Sequence, residues 1–186
     1  MKKQPHLEYG LVHYYYGNGR GKTSTSMGTI IRAIGHGLKP ILIQFLKLHD
    51  EEKKHRGYFI GEVHFLKELI PIKQFGSYGF IYPDQEPPTK VVRKAKRGIK
   101  CAEAVINSGN YDLVVLDEIG EAIRFNLVKV EKVLEIAKMK PSHVEIILTG
   151  ATYNEKLSEI ADYVTHFELV RHPYYKGFQA RPGIEF

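Results

Sequence analysis

The chain has 186 residues, of which 43% are hydrophobic and 26% are charged, and this is the composition of a folded globular domain rather than of a disordered segment. A domain has about 150 residues, so residues 1–186 are interpreted as a single domain. The one cysteine, Cys101, excludes an internal disulfide framework and a cluster of thiolate metal ligands. No apolar run approaches the roughly 18 residues of a membrane span, and no apolar stretch follows the lysines at the N-terminus, so a cytoplasmic location is expected.

The net charge of the chain is positive. Lysine and arginine number 27 against 21 acidic residues, which gives +6 and a pI near 9.2, and such a charge favours polyanionic partners such as nucleotides or nucleic acids. Basic residues crowd residues 90–100, but apolar side chains recur through and beyond that stretch at helical spacing. The stretch is therefore interpreted as an amphipathic helix with a solvated basic face, which is weak evidence for nucleic-acid binding.

Apolar runs rich in β-branched and aromatic residues alternate with helical patterns along the chain. Continuous apolar runs, unlike strictly alternating ones, are typical of strands that are buried on both faces of a parallel sheet. The alternation predicts an α/β fold with a doubly wound, mostly parallel sheet of about six strands. Strands are predicted at residues 11–16, 40–46, 63–66, 113–116, 144–148 and 164–170, and helices near residues 22–36, 89–108, 128–138 and 154–162.

The sequence GNGRGKT at residues 17–23 follows the first predicted strand and opens a helix. Glycines let successive backbone N–H groups surround phosphate oxygens, and the N-terminus of a helix adds a partial positive charge. Lys22 supplies a mobile cation, and the Thr23 hydroxyl can bind Mg²⁺. The loop has three residues between Gly17 and Gly21, where the standard P-loop has four. The motif predicts a nucleoside triphosphate site in a P-loop NTPase-like (RecA-like) domain.

Two acidic residues, Asp117 and Glu118, end the apolar run LVVL at residues 113–116. In a P-loop protein an acid at this position holds the metal ion directly or through water. The spacing leaves open which of the two makes the inner contact. Thr149 and Gly150 end another predicted strand, and they are expected at the same edge of the sheet.

The loop and its flanks, residues 10–39, closely resemble the P-loop type of ATP:corrinoid adenosyltransferases, in which the shortened sequence GNGxGKT is typical. The resemblance extends over nearly the whole chain. Further matching segments are ILIQFLK at 41–47, GSYGF at 76–80, YDLVVLDEI at 111–119, PSHVEIILTG at 141–150 and VRHPYYKGFQARPGIEF at 170–186.

This resemblance implies an enzyme that transfers the 5′-deoxyadenosyl group of ATP to the Co(I) of cobalamin or cobyrinic acid a,c-diamide, and that releases triphosphate, in cobalamin biosynthesis or salvage. It implies ATP and Mg²⁺ (or Mn²⁺) as requirements, a homodimer and a flavin-type reductase as partner, and neither a membrane nor a nucleic acid. The metal ligands that it implies are Thr23 and Glu118, with Asp117 as the alternative acid, and the catalytic residues are Lys22, Phe80 and Tyr82. The implied ATP-binding residues are Gly17, Asn18, Gly19, Arg20, Gly21, Lys22, Thr23, Ser24 and Arg32.

Three segments depart from the pattern of that family, and one of them is residues 48–61, which lack its glycine-rich pattern. Ala151 stands where the family usually has an arginine after Thr-Gly, and Phe80-Ile81-Tyr82 stands where Phe-Thr-Trp is common. Phe80 and Tyr82 are two residues apart, so in an extended backbone both rings point to the same side. The hypothesis is that they form an apolar wedge that favours four-coordinate cobalt; the alternative is that they anchor the loop to the core.

Two other functions remain as alternatives. One is a RecA-like P-loop ATPase that binds nucleic acid through the basic residues 90–100. The other is a regulatory or corrinoid-carrying protein without turnover, for which Ala151 is the hint. The matching C-terminal segment favours the transferase over the ATPase.

Overall fold

The computed structural model describes residues 6–52, 59–77 and 85–185, and within them the chain forms one sheet of six parallel strands. Their spatial order is β3-β2-β4-β5-β1-β6. The strand β5 therefore lies between β1 and β4, and the carboxyl ends of all three meet at one edge of the sheet. The strands are β1 Val12–Tyr16, β2 Pro40–Leu46, β3 Ile72–Gly76, β4 Leu113–Asp117, β5 Glu145–Gly150 and β6 Tyr163–His166.

Helices cover both faces of this sheet. The helices are α1 Lys22–Gly35, α2 Gly61–Leu66, α3 Thr89–Ser108, α4 Ile119–Arg124, α5 Val130–Met139 and α6 Glu155–Ile160. Helices α1 and α2 build one apolar core against the sheet, and α3 to α6 build the other. Among the described residues, no helix combines the length and the apolar composition that crossing a membrane would require.

Neighbouring side chains on β1 show why the strands are continuously apolar. Tyr14 is buried in the core beneath α3 to α6, whereas Tyr15 is buried in the core beneath α1 and α2. Successive side chains of a strand point to opposite faces, so a strand covered on both faces needs apolar residues at every position. The predicted doubly wound parallel sheet is confirmed.

The strand predicted at residues 63–66 is wrong, because these residues belong to α2. Val63 and Leu66 are buried on the same side, three residues apart, while Phe65 is 61% exposed. That burial pattern follows the helical period and not the period of two of a strand. The third strand comes later, at Ile72–Gly76.

The last strand is shorter than predicted. The prediction covered residues 164–170, whereas β6 ends at His166 and all four of its residues are exposed. It pairs with β1 alone and forms an edge of the sheet. The residues after it bend towards the carboxyl end of β1, where the candidate site lies.

Candidate active site

The segment at residues 17–21 connects β1 to α1 as a tight loop. Gly17 and Gly21 have φ angles of 117° and 113°, which side chains other than glycine rarely tolerate. Gly21, the N-cap residue of α1, has no side chain to cap the helix, and α1 begins just beyond the carboxyl end of β1. This is the arrangement that binds phosphate groups at the start of a helix.

The side chain of Lys22 folds back over this loop. Its ammonium donates to the carbonyl oxygens of Gly17 at 2.5 Å and Gly19 at 2.8 Å. Burial lowers the pKa of Lys22, and the nearby Glu118 partly opposes that change. The structure thus holds the predicted catalytic cation directly over the loop that would receive a triphosphate.

The chain beyond β6 packs against the outside of the loop. The Leu169 N–H donates to Oδ1 of Asn18 at 3.0 Å, and the Gly19 N–H donates to the Phe167 carbonyl at 2.7 Å. A Cβ atom on Gly19 would stand 2.7 Å from that carbonyl oxygen. Glycine at position 19 is therefore required by the contact with the C-terminal segment.

Arg20 also turns towards the C-terminus. Its guanidinium donates to Glu185 at 3.0 Å and to the Ile184 carbonyl at 3.3 Å. Arg181 binds the same carboxylate, and its hydrogen bonds, with a smaller contribution from Arg20, lower the pKa of Glu185 to about 2. Residues of the loop and of the last turn of the chain thus form one charged cluster.

The carboxylate of Asp117, at the end of β4, is completely buried and accepts four hydrogen bonds. One oxygen accepts from the hydroxyls of Thr23 at 3.0 Å and Thr149 at 2.8 Å. The other oxygen accepts from Gln44 at 3.0 Å and Lys47 at 2.8 Å. Burial raises the pKa of Asp117, but the charge of Lys47 and these hydrogen bonds together lower it by more than burial raises it. The net pKa is therefore below the usual value of an aspartate. Asp117 is therefore ionised, and it joins the first turn of α1 to the two strands beside β4, which are β2 and β5.

Glu118 follows in a left-handed backbone conformation, with φ 61°. Such a conformation is unfavourable by about 1–2 kcal/mol for a residue other than glycine, and it often marks a functional position. Its N–H donates to the Thr149 hydroxyl at 2.8 Å, and its side chain is 34% exposed. Burial raises the pKa of Glu118 above its usual value, although Lys47 acts in the opposite direction.

Lys47 is the site residue that sequence reasoning missed. Its ammonium lies 2.8 Å from Oγ1 of Thr23, 2.8 Å from Asp117 and 3.3 Å from Glu118. Burial lowers the pKa of Lys47, but the two carboxylates more than reverse this effect, so the net pKa is raised. A polar residue inside the apolar run of β2, Gln44, is the signal that could have pointed here, because Gln44 pairs in register with Asp117.

The remaining predicted residues fall into three groups. Ser24 is exposed in the first turn of α1, beside the loop. Arg32 is exposed near the end of α1, and at 1.5 Å per residue it lies about 15 Å along the helix from Lys22, so the structure does not bring it to the loop. Phe80 and Tyr82 lie outside the described residues.

Position 151 lies at the edge of this site. The N–H of Ala151 donates to a carboxylate oxygen of Glu121 at 2.9 Å, just after the end of β5. A methyl group there cannot make the charged contact that an arginine would make.

Within residues 6–52, 59–77 and 85–185, two clusters that contain histidine have ligand atoms close enough together for a metal ion: His6, Asp112 and His143, and His49, Glu51 and His64. The first cluster includes Asp112, which precedes β4 and lies at the opposite edge of the sheet from Asp117. In the second, Nδ1 of His49 accepts the Ile60 N–H at 2.9 Å, so its Nε2 carries the proton and offers no lone pair. Thr23 with Asp117 and Glu118 is the oxygen-rich set beside the phosphate loop.

The chain is similar over nearly its whole length to one family of enzymes. The sequence profile described as "ATP:corrinoid adenosyltransferase BtuR/CobO/CobP" matches residues 8–186. A corrinoid adenosyltransferase from Sinorhizobium sp. is 34% identical over 188 residues, which cover 96% of this chain and 81% of the relative. Corrinoid adenosyltransferases from Pseudomonas aeruginosa and Escherichia coli K12 are 30% and 28% identical over 96% of this chain, and the alignments cover 85% and 87% of those relatives.

A solved structure confirms the predicted P-loop NTPase-like architecture. The KaiC-like protein of the hyperthermophilic archaeon Pyrococcus horikoshii OT3 superposes with a TM-score of 0.50, covering 87% of this chain and 73% of that one. The two sequences are 16% identical, so the similarity concerns the fold alone.

Proposed function

Because the chain belongs to the ATP:corrinoid adenosyltransferase family, we propose that it transfers the 5′-deoxyadenosyl group of ATP to the Co(I) of a corrinoid. In this reaction Co(I) supplies the electron pair of the new Co–C bond, the C5′–O bond breaks, and triphosphate leaves with the bonding electrons. The observation that supports this most directly is the phosphate loop with Lys22 folded over it, beside the Thr23–Asp117 pair.

Positioning and charge stabilisation account for the rate, because Co(I) is a strong nucleophile and its attack on C5′ needs no general base. The loop from Gly17 to Ser24 binds the triphosphate through N–H groups, as helix N-termini bind phosphates. Lys22 leaves the loop carbonyls and neutralises charge that accumulates on the leaving triphosphate.

The oxygen-rich set beside the loop fits Mg²⁺ or Mn²⁺. The Thr23 hydroxyl donates its proton to Asp117, so its oxygen lone pairs face away from that carboxylate. Asp117 already accepts four hydrogen bonds, which is the full capacity of a carboxylate, whereas Glu118 is partly exposed. We therefore assign Thr23 and Glu118 as direct ligands and Asp117 as the residue that orients Thr23. A bound metal ion would neutralise part of the triphosphate charge.

The resemblance to the family supports the finer assignments. The corrinoid is cobalamin or cobyrinic acid a,c-diamide, the pathway is cobalamin biosynthesis or salvage, and a flavin-type reductase supplies the electrons. The active form is a cytoplasmic homodimer. Arg32, which lies far from the loop along α1, then has a nucleotide contact only if a conformational change or the partner subunit supplies it.

The reaction products provide the test of this function. The protein is mixed with ATP, Mg²⁺ and chemically reduced cob(I)alamin, the corrinoid spectrum is followed, and the phosphorus products are identified by NMR. We expect tripolyphosphate in one-to-one ratio with adenosylated corrinoid. ADP or phosphate formed without corrinoid, and stimulated by DNA or RNA, would instead identify a nucleic-acid-dependent ATPase. ATP binding without any turnover would identify a regulatory or carrier protein.

Phe80 and Tyr82 are proposed to act on the cobalt ligand. Two apolar rings against one face of the corrinoid exclude water and the displaced base, which favours the four-coordinate state. We expect Phe80→Ala and Tyr82→Ala to keep ATP binding and activity with pre-reduced cob(I)alamin, and to lose more of the activity that starts from cob(II)alamin. Loss of ATP binding and thermal stability together would mean that the rings belong to the core.

A further inference from the structure

Lys47 stands between the groups that are proposed to serve a metal ion. Its ammonium is 2.8 Å from Oγ1 of Thr23 and 2.8 Å from Oδ2 of Asp117, and it lies 3.3 Å from Glu118. The side chain is only 22% exposed. It is therefore a cation that contacts Thr23, Asp117 and Glu118 at once.

The Thr23 hydroxyl makes hydrogen bonds with both Asp117 and Lys47. The hydroxyl has one proton, which it donates to Asp117, and its oxygen accepts from Lys47. A metal ion bound by Thr23 needs a lone pair of this same oxygen. Magnesium lies about 2.0–2.1 Å from its oxygen ligands, so an ion between Thr23 and Glu118 would collide with an ammonium that contacts both.

The charges of the site also indicate that Lys47 and a divalent ion cannot occupy this place together. Two carboxylates, Asp117 and Glu118, surround the single positive charge of Lys47. A divalent ion would bring two further positive charges into this space, and like charges in a partly buried site repel strongly. Lys47 and the divalent ion therefore compete for the same place.

We propose that Lys47 is a resident cation that is exchanged for the divalent metal, and that its displaced ammonium then binds the triphosphate. This inference rests on the proposed metal–nucleotide site. The long lysine side chain follows the end of β2, and its charge acts on the ammonium of Lys22 above the phosphate loop. Rotation of this flexible side chain would carry the Lys47 ammonium from the carboxylates towards the triphosphate, so that the metal and two lysines share the charge of the leaving group.

Metal binding without nucleotide is the first test. Mn²⁺ binding to the whole protein is measured by electron paramagnetic resonance for the unmodified chain, for Lys47→Met and for Lys96→Met, a control that removes one charge from the exposed face of α3. We expect Lys47→Met to bind Mn²⁺ about tenfold more tightly, because the competing cation is gone, and Lys96→Met to match the unmodified chain. Equal or weaker binding by a folded Lys47→Met protein would overturn the proposal.

Lys47→Met leaves the buried carboxylate of Asp117 without its cation, which can prevent folding. A second measurement therefore uses the unmodified protein. The ¹⁵N resonance of the Lys47 ammonium, assigned by its loss in Lys47→Arg, is followed while Mg²⁺ and ATP are added. We expect this resonance to shift when Mg²⁺ and ATP are both present, but not when KCl is added to the same ionic strength. An unchanged resonance in protein that has bound Mg²⁺-ATP would refute the exchange.

The two proposals fail in different ways. If calorimetry detects no binding of Mg²⁺-ATP to the unmodified protein, the proposed metal–nucleotide site is wrong. Suppose instead that Mg²⁺-ATP binds and the corrinoid is adenosylated with release of triphosphate, but that the ¹⁵N resonance of Lys47 does not shift. The metal–nucleotide site is then right and the exchange is wrong.

Discussion

Gly19 of the phosphate loop donates its backbone N–H to the carbonyl oxygen of Phe167, at a distance of 2.7 Å. Phe167 in turn donates its own N–H to the carbonyl of Tyr16, also at 2.7 Å. The chain after β6 thus extends the pairing between β6 and β1 by hydrogen bonds from Phe167 to Tyr16 and from the phosphate loop to Phe167. The loop that would bind a triphosphate is shaped from outside by residues about 150 positions later in the chain.

Gly19→Ala tests this contact. A Cβ at position 19 would stand 2.7 Å from the Phe167 carbonyl oxygen and 2.8 Å from Glu168, so we expect a fall in thermal stability and weaker ATP binding. Gly28→Ala in α1 is the matched control, because a Cβ there meets nothing within 4 Å. It should stabilise the helix by up to about 1 kcal/mol. Equal melting temperatures for the two variants would contradict the assigned contact.

Lys22→Ala and Thr23→Ala test the phosphate loop. Each removes a group proposed to stabilise the leaving triphosphate, and loss of one such contact commonly lowers the rate about 10²–10³-fold. Adenosylation of cob(I)alamin is followed by its spectrum. Lys96→Ala, on the exposed face of α3, should retain the activity of the unmodified protein. A comparable loss for Lys96→Ala would make the basic face of α3 part of the site.

Glu118→Gln is expected to raise the stability of the protein while it removes a proposed metal ligand. The pKa of Glu118 is raised in the folded protein, so its ionised form is less favourable there than in the unfolded chain. A carboxyl group whose pKa is raised by folding favours the folded state fully only below its pKa in the unfolded chain, which is about 4.3 for glutamate. This contribution to stability is lost as the pH rises through the pKa of the folded protein. At neutral pH, therefore, Glu118→Gln should melt at a higher temperature than the unmodified protein, and the difference should disappear below about pH 4.

The same substitution removes a proposed metal ligand. Binding of ATP to Glu118→Gln should lose its dependence on Mg²⁺, which calorimetry with and without the metal measures. The exposed Glu159→Gln in α6 is the control for both experiments and should change neither. A lower melting temperature at neutral pH would show that the Lys47–Glu118 attraction outweighs the burial of the carboxylate.

Tyr14→Phe tests the turn that follows β5. The Tyr14 hydroxyl donates to the Thr152 carbonyl at 2.7 Å and accepts the Asn154 N–H at 3.0 Å, and the side chain is fully buried. Its burial raises the pKa of Tyr14 to about 12, so the hydroxyl keeps its proton. Removal of the hydroxyl leaves both backbone groups without this partner. We therefore expect the free energy of unfolding, measured with urea, to fall by about 1–3 kcal/mol. Tyr153→Phe, at a ring that is 51% exposed, should change the unfolding free energy far less.

The sheet and the phosphate loop could be predicted from the sequence because both follow from local patterns. Continuous apolar runs predict doubly covered strands, and the glycines with Lys22 and Thr23 carry the chemistry of the loop within seven residues. The helix α2 could not be predicted, since a run of four apolar or aromatic residues fits both periods until the exposed position of Phe65 is known.

The acid pair was predicted together with Thr23 and Thr149, but the contacts of Asp117 with Lys47 and Gln44 were not. Lys47 meets Asp117 because β2 lies beside β4 with Gln44 opposite Asp117, and this register is a property of the assembled sheet. The contacts of Arg20 with Glu185 and of Asn18 with Leu169 join residues more than 150 positions apart. No local pattern carries such pairings, so tertiary structure was needed to find them.

The order of strands has a consequence for the way this chain is made on the ribosome. Of the six strands of this sheet, β1 leaves the exit tunnel first, whereas its two neighbours in the sheet, β5 and β6, are synthesised last. A nascent chain that stops before residue 145 therefore carries an apolar strand, VHYYY, with neither of its native partners. During that interval the apolar side chains of β1 lack their sheet partners, and unpaired apolar strands of this kind favour aggregation.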